Sequence, residues 1–442
     1  MRYTKQDILN LIEEEDVEFI RLQFTDIFGA MKNVAITTSQ LEKALSNRCT
    51  FDGSAIDGYL RLAETDMYLH PDLDSFAIFP WRPQQGKVAR FICDVYTADG
   101  KPFEGDSRQV LKRVIDEAHN MGYSFNAGPE LEFFLFHTDN NGNPTTITHE
   151  HAGYFDIGPV DLGENARRDI VLNLEDMGFE IETSHHEASP AQHEIDFKYS
   201  DALTTADNVM TFKMTVKSIA KRHGLYATFM PKPRKDGAGS GMHINMSLTR
   251  NGKNVFDSPC GKLGLSDEAY YFMAGIIKHI KGMAILTNPL VNSYKRLTPE
   301  FEAPMYVAWS DVSRMPLLRV APFRGEGTRI ELRSPDAACN PYLVLSACLA
   351  AGLEGIKNKY ECPEKFDGNF GAMTRKEIEN MGIDSLPMNL MEAVCEFKKD
   401  AFLHKLLGGH ITEKMIEAKT SEWDKYMSQV TSWELEQYLY KF

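Results

Sequence analysis

Gly128-Pro129-Glu130-Leu131-Glu132-Phe133-Phe134 is the stretch on which the reading of this chain turns. Its apolar members are those of a buried strand. A strand sends successive side chains to opposite faces, so Glu130 and Glu132 leave one face while Leu131 and Phe133 leave the other. Two carboxylates held side by side resist ionisation unless a cation or a proton compensates them. The pair therefore asks for a metal ion or a shared proton.

Working outward, His185-His186-Glu187-Ala188-Ser189-Pro190-Ala191-Gln192-His193-Glu194-Ile195-Asp196 carries a proline that should interrupt pairing and fold one acidic strand end toward the next. Glu187 and Glu194 then face a common point. With His243, in Gly239-Ser240-Gly241-Met242-His243, four carboxylates would suit hard divalent cations rather than thiolate-seeking zinc. Read singly, each of these residues is equally well an ordinary surface or core residue.

Thr328-Arg329-Ile330-Glu331-Leu332-Arg333 adds a second period-two run, with Arg329, Glu331 and Arg333 on one face. Alone it reads as a solvated row of ion pairs, which contributes little. Arg314, Arg319 and Arg324 precede it, and guanidinium forks match phosphate and carboxylate. Carboxylates with arginines are the mixture that phosphoryl transfer needs. No G-x-x-x-x-G-K-[ST] occurs, Gly237-Ala238-Gly239-Ser240-Gly241 fits no dinucleotide fingerprint, and no G-x-S-x-G elbow is present. The glycine run leads straight into His243, which favours close approach of backbone to a ligand.

A chain of 442 residues with 43% hydrophobic content has material for two domains. Its seven cysteines are dispersed and form no C-x-x-C, as expected of reduced thiols in a cytoplasm. No apolar stretch approaches a membrane span and no export signal opens the chain, so a soluble cytosolic location is expected. The formal charge of −15 disfavours nucleic acid and anionic lipid as partners.

Thr4 to Glu15 has the pattern of a capped amphipathic helix, and strand-like runs follow at 17–24, 31–36 and 88–96. The turn-rich stretch 99–105 marks a boundary between domains at 1–104 and 105–442. Beyond it helix and strand alternate, with helices expected over 107–121, 164–177, 201–223 and 341–358. The C-terminus ends in Trp433, Tyr438, Tyr440 and Phe442, a tail expected to dock.

Taken in order, Phe51-Asp52-Gly53-Ser54, the Gly128 to Phe133 run, His185-His186-Glu187, Gly239 to His243, Asn292-Ser293-Tyr294-Lys295-Arg296 and Asn340-Pro341-Tyr342 resemble the type I glutamine synthetases of bacteria and archaea. The likeness runs from end to end. It implies an α+β fold, with a small N-terminal β-grasp domain before a large α/β catalytic domain of the glutamine synthetase / guanidino kinase type. It also implies a homo-oligomer, a dodecamer of two hexameric rings with active sites between subunits.

The resemblance makes Glu132, Glu187 and Glu194 the ligands of one metal and Glu130, His243 and Glu331 those of a second, Mg²⁺ or Mn²⁺. The implied reaction activates glutamate with ATP through γ-glutamyl phosphate, which ammonia then converts to glutamine. Arg296, Arg314 and Arg333 resemble residues that hold glutamate and the moving phosphoryl group, with Gly239 meeting the substrate amine through its backbone. Glu182, Asn245, Ser247 and Arg319 resemble nucleotide contacts. Asp52, from a neighbouring subunit, resembles the carboxylate that deprotonates ammonium, and Glu302 resembles the flap glutamate that shields the acyl phosphate.

Three departures stand out. Ala238 replaces the family's usual Asn before Gly-Ser-Gly, with a consequence expected for loop order. Gly368-Asn369-Phe370-Gly371-Ala372 lacks the tyrosine that some members adenylylate. Arg61 resembles the arginine by which the short, feedback-regulated subgroup senses glutamine, and Phe19, Arg21, Arg90 and Ser189 offer a setting for 2-oxoglutarate. Two alternatives remain at this point: a γ-glutamyl-polyamine synthetase-like ligase, or a non-catalytic glutamine-sensing regulator acting through a protein partner.

Overall fold

The computed structural model describes residues 3–59, 66–82, 85–298 and 303–442. Helix α1 (Lys5–Glu14) starts at a capping box in which Thr4 accepts from the Asp7 amide while Asp7 takes the Thr4 amide at 2.7 Å. Its Ile8 and Ile12 are buried. Strands β1 (Val17–Thr25) and β2 (Met31–Thr37), helix α2 (Leu41–Leu45), then β3 (Cys49–Asp52), β4 (Asp66–Pro71), β5 (Ala77–Ile78) and β6 (Lys87–Tyr96) follow. They form one sheet in the order β2-β1-β6-β4-β3, with β5 on β6. The β1–β6 pair is parallel and its neighbours antiparallel, the mixed arrangement of a β-grasp. The expected strands at 17–24, 31–36 and 88–96 lie within β1, β2 and β6. Strands β3 to β5 are four, six and two residues long, too short for periodicity to reveal them.

The larger unit runs α3 (Ser107–Asn120), β7 (Ser124–His137), α4 (Glu164–Asp176), β8 (Ile181–His186), β9 (Gln192–Phe197), β10 (Ser200–Asp201), α5 (Ala202–Arg222) and β11 (Leu225–Thr228). After β12 (Met242–Arg250) and β13 (Lys253–Asn254) come α6 (Asp267–Thr287), β14 (Trp309–Ser310), β15 (Leu318–Val320) and β16 (Ile330–Leu332). Helices α7 (Pro341–Asn358), α8 (Arg375–Asn380), α9 (Leu390–Lys399), α10 (Ala401–Met427) and α11 (Ser432–Tyr438) complete it. The second sheet has the order β14-β15-β16-β12-β7-β9-β8, so β7 lies inside it between β12 and β9. Leu131 and Phe133 point into the core and are fully buried, beneath a layer to which α3 and α5 belong. Burying side chains of this size contributes about 2 kcal/mol each, which fixes the register and with it the face that the glutamates take.

Two ties join the sheets. Arg108 at the start of α3, 3% exposed, donates to Asp94 at 2.7 Å and Asp72 at 2.6 Å on the first sheet and to Asp207 of α5 at 2.8 Å. Asn340 caps α7 by accepting from the Tyr342 amide at 3.0 Å, while its own amide donates to the Asp26 carbonyl at 3.1 Å. Pro341 fills the first helical position, where no amide hydrogen is needed, and the Tyr342 hydroxyl reaches Asp207 at 2.6 Å. The expected docking of the tail is not found within the chain. Helix α11 buries none of its residues, and Tyr440 and Phe442 are 94% and 102% exposed, because among the described residues no element of the same chain covers that short helix.

Candidate active site

Register assembles the site. Glu130 stands opposite His243 of β12 on one side and Asp196 of β9 on the other, and Glu132 stands opposite Glu194. Further across, Glu331 is the partner of both Asn245 and Arg319. Residues more than 200 positions apart in sequence therefore share one face of one sheet.

On the β12–β16 side the charges are answered. His243 Nδ1 lies 3.4 Å from Glu130 and 3.7 Å from Glu331, and Asn245 donates to Glu130 at 2.8 Å. Arg319 donates to one Glu331 oxygen at 2.8 Å and Arg333 to the other. Burial by itself raises the Glu130 pKa, but the hydrogen bond and charge of His243 outweigh it and bring the group down to about 2. Glu331 and Arg333 are 1% and 5% exposed, so this strand is not the solvated row of ion pairs it would be alone: β12 and β15 flank it.

On the β9 side the charges are not answered. Glu187 and Glu194 come within hydrogen-bonding reach of each other. Burial, then Asp196 and Glu132, push Glu194 well above the usual carboxylate range; burial, then Glu132, push Glu187 up. Asp196, chiefly by burial, is raised to about 6. His185 comes within 3.7 Å of Glu194 and 3.5 Å of Glu187. The turn at Pro190 brings these strand ends together as expected, with the Glu187 amide bonded to the Gln192 carbonyl at 2.8 Å and Ala191 held at φ 69.

The glycine loop closes over this face. A Cβ on Gly239 would meet the Pro231 carbonyl at 2.2 Å, so that position admits no side chain, and one on Gly241 would meet the Arg296 guanidinium at 2.6 Å and displace it. The Ala238 amide donates to Ser189 Oγ at 2.6 Å, a backbone bond that holds this part of the loop whatever side chain stands at 238. Arg296, 4% exposed, donates to the carbonyls of Ser334 at 2.9 Å and Arg333 at 3.2 Å. Arg314 is exposed and bonds the Tyr154 hydroxyl beside Glu187 and Glu194.

Next to Glu130 a cavity of about 360 Å³ opens, lined by Glu182, Asn245 and Ser247 together with Tyr199, Phe323 and Arg329. Arg319 does not line it and is bound to Glu331 instead. Asp196, Tyr199 and Arg329 escape the sequence reading of the site, although Arg329 shares the period-two face of Glu331 and that signal was available. Asp52 belongs to the other sheet, where its exposed carboxylate accepts from the Ser54 amide at 2.8 Å. Arg61 and Glu302 lie outside the described residues. Arg21 and Arg90 are in register, but Arg90 is turned inward onto Ser75 at 2.7 Å and Thr211 at 3.0 Å, while Phe19 is exposed and Ser189 sits in the β8–β9 turn. These four do not meet within one chain.

The donors suit a hard divalent cation. Glu130, His243 and Glu331 offer ligand atoms that all lie within 4.8 Å of one another, and no thiol belongs to the set. Mutually repelling carboxylates at Glu132, Glu187 and Glu194 supply the unmet negative charge that such an ion would neutralise.

A β-grasp sheet followed by a second sheet that gathers carboxylates, one histidine and arginines on one face defines a metal-dependent phosphoryl-transfer ligase. Models of the glutamine synthetase catalytic domain and of its β-grasp domain match residues 104–438 and 16–98. The chain belongs to the glutamine synthetase family. It is 62% identical over 441 residues to the glutamine synthetase of Clostridium saccharobutylicum, covering the whole of both chains. It is 55% identical to that of Staphylococcus aureus, covering 100% of this chain and 99% of the relative. The solved GmaS/ADP complex superposes with a TM-score of 0.89 at 32% identity over 98% of this chain and 99% of its own. The cryo-EM structure of Plasmodium falciparum glutamine synthetase gives 0.87 at 26% identity, over 99% of each chain. The activity is glutamate–ammonia ligation, the ATP-dependent synthesis of glutamine. These likenesses favour neither a polyamine ligase nor a non-catalytic regulator. Among the described residues no helix is long and apolar enough to cross a membrane.

Proposed function

We propose that the acidic face performs this ligation with two divalent ions, Mg²⁺ or Mn²⁺, one held by Glu132, Glu187 and Glu194 and the other by Glu130, His243 and Glu331. Bound there, the ions neutralise phosphate charge as it develops. The chain's own groups do the rest. Asn245, Ser247 and Glu182 orient ATP, a role supported by the cavity beside Glu130 that they line and by the ADP of the GmaS complex, and Arg319, held on Glu331, joins them in contacting the nucleotide. Arg296 and Arg333 hold glutamate, with the Gly239 carbonyl accepting from its ammonium group, and Arg314 meets the phosphoryl group in transfer.

A γ-carboxylate oxygen of glutamate attacks the terminal phosphorus of ATP and ADP leaves. Asp52 of a neighbouring subunit takes a proton from ammonium, since only neutral ammonia has a free electron pair, and Glu302 keeps water from the acyl phosphate. Ammonia then attacks the acyl carbon and phosphate departs. The domains divide at 104/105, the assembly is a dodecamer of two hexameric rings, and Arg61 senses glutamine. The observation that carries the reading is the convergence of Glu130, Glu132, Glu187, Glu194, His243 and Glu331 on one sheet face. Asp52 on the other sheet and the exposed tail support sites shared between subunits.

The test is complementation. Chains carrying D52A and chains carrying E194Q should each be nearly inactive alone. Co-expressed, they should regain turnover of Mg²⁺, ATP, glutamate and ammonium to glutamine, because one chain's intact face meets the other's intact Asp52. Recovery no greater than the sum of the two single variants would refute the shared site.

A further inference from the structure

Gln192 is fully buried at the first position of β9, between the carboxylates and the glycine loop. Its Nε2 donates to Glu132 Oε2 at 3.0 Å and to the Gly239 carbonyl at 3.0 Å, and its Oε1 accepts from the Ser189 amide at 3.3 Å. The orientation of the carboxamide follows from chemistry: a carboxylate and a carbonyl only accept, so the amino end must face them, and a backbone amide only donates, so the oxygen must face Ser189. Both amino hydrogens are thereby used. The same Glu132 oxygen takes the Gly241 amide at 2.9 Å, and the Gln192 carbonyl takes the Glu187 amide at 2.8 Å. One residue thus bonds the carboxylate of Glu132, the backbone amide of Glu187 and the loop assigned to the substrate amine.

We propose that Gln192 is a positioning residue that couples occupancy of the Glu132 metal site to the geometry of the glutamate pocket; this rests on the function proposed above. An ion that draws charge from Glu132 loosens its hold on the carboxamide, which then settles on Gly239 and fixes that carbonyl where the substrate ammonium meets it. Glutamate that holds the loop in this position in turn keeps the carboxamide off the Glu132 oxygen and leaves that oxygen to the ion. Coupling of this kind is reciprocal by thermodynamic necessity. A purely structural glutamine would stabilise the turn without linking the two affinities.

The experiment is calorimetric titration of the full-length protein with glutamate, with and without Mg²⁺, and with Mg²⁺ with and without glutamate, before any turnover. In the unsubstituted protein each ligand should tighten the other about fivefold or more. In Gln192→Met, which keeps the shape and removes both donors, glutamate affinity should fall about tenfold and the mutual effect should shrink to near one. The KM for ATP should stay within about twofold, a split that general loosening would not produce. Should the methionine variant fail to fold, Gln192→Glu carries the same test, since a carboxylate cannot donate to Glu132 or Gly239. Unchanged coupling in the folded variant overturns the inference alone. Unsubstituted protein that binds both ligands independently overturns it as well, and protein that binds neither ligand overturns the site reading beneath it.

Discussion

At the seam between the sheets, one guanidinium meets Asp72, Asp94 and Asp207 within 2.6 to 2.8 Å, and Lys112 also reaches Asp94. Around Glu132 a comparable number of carboxylates face one another with no cation from the same chain among their hydrogen-bond partners in the described residues, and Glu187 and Glu194 are pushed upward as a result. Just behind that face, Glu150 bonds His186 at 2.8 Å and Arg167 bonds Asp161 at 2.7 Å, so crowded acids there are again balanced from within. The difference separates structural clusters, which contain their counter-charge, from a functional one, which leaves charge for a ligand.

The sharpest way to break this contrast is to remove the seam's cation. Arg108→Met takes the guanidinium from Asp72, Asp94 and Asp207, leaving Asp207 on the Tyr342 hydroxyl and Asp94 on Lys112, and should cost about 3–5 kcal/mol in urea unfolding. A cost below about 1 kcal/mol would mean that the seam does not depend on its internal charge balance. The reverse is expected of E194Q. Turnover should drop about 100-fold or more through loss of an ion ligand, yet the metal-free protein should melt no lower than the unsubstituted one, because the cost of burying an ionisable carboxyl among other carboxylates is gone. Chelation should lower the melting temperature of the unsubstituted protein and leave that of E194Q nearly unchanged. A marked fall in the stability of metal-free E194Q would place the acidic face with the structural clusters.

Asp106 refines the comparison, since its oxygens accept from the amides of Arg108 at 2.9 Å and Val95 at 2.8 Å and no guanidinium bonds it. Burial, then Asp94, raise it to about 7. A carboxyl whose folded value lies above its unfolded value binds its proton more tightly when folded. Stability is therefore lost as pH climbs from about 4 to about 7, on the order of 4 kcal/mol, and unfolding midpoints of D106N against pH should lack that component. An identical profile in D106N would discard the assignment. The smallest effect is that of Asn340→Ala, which removes the α7 cap and should cost about 1 kcal/mol by thermal melting without changing KM for either substrate.

Much of the site was legible because strand periodicity is local. Glu130, Glu132 and Glu331 could be assigned to faces from their own neighbours, and Pro190 announced the turn that brings Glu187 toward Glu194. The Thr4 cap, Gly178 beyond α4 and the Asn340-Pro341 start of α7 were readable for the same reason. Asp196 was not, since its closeness to Glu130 arises from a pairing across β7 and β9 that no short-range signal encodes. Burial of Glu331 and Arg333 could not be read from their own strand, because burial depends on what covers a strand. The tail was expected to dock because its composition is apolar, but composition does not say whether the covering surface belongs to the same chain.

The residues themselves therefore determined which side chains share a face, where elements begin and end, and that the chemistry is carboxylate, imidazole and guanidinium. Only the tertiary structure decided which strands are neighbours, and hence which carboxylates are neutralised from within and which are left charged. Periodicity is set by backbone geometry one or two residues away, whereas electrostatic balance is a sum over groups that the chain brings together from hundreds of residues apart.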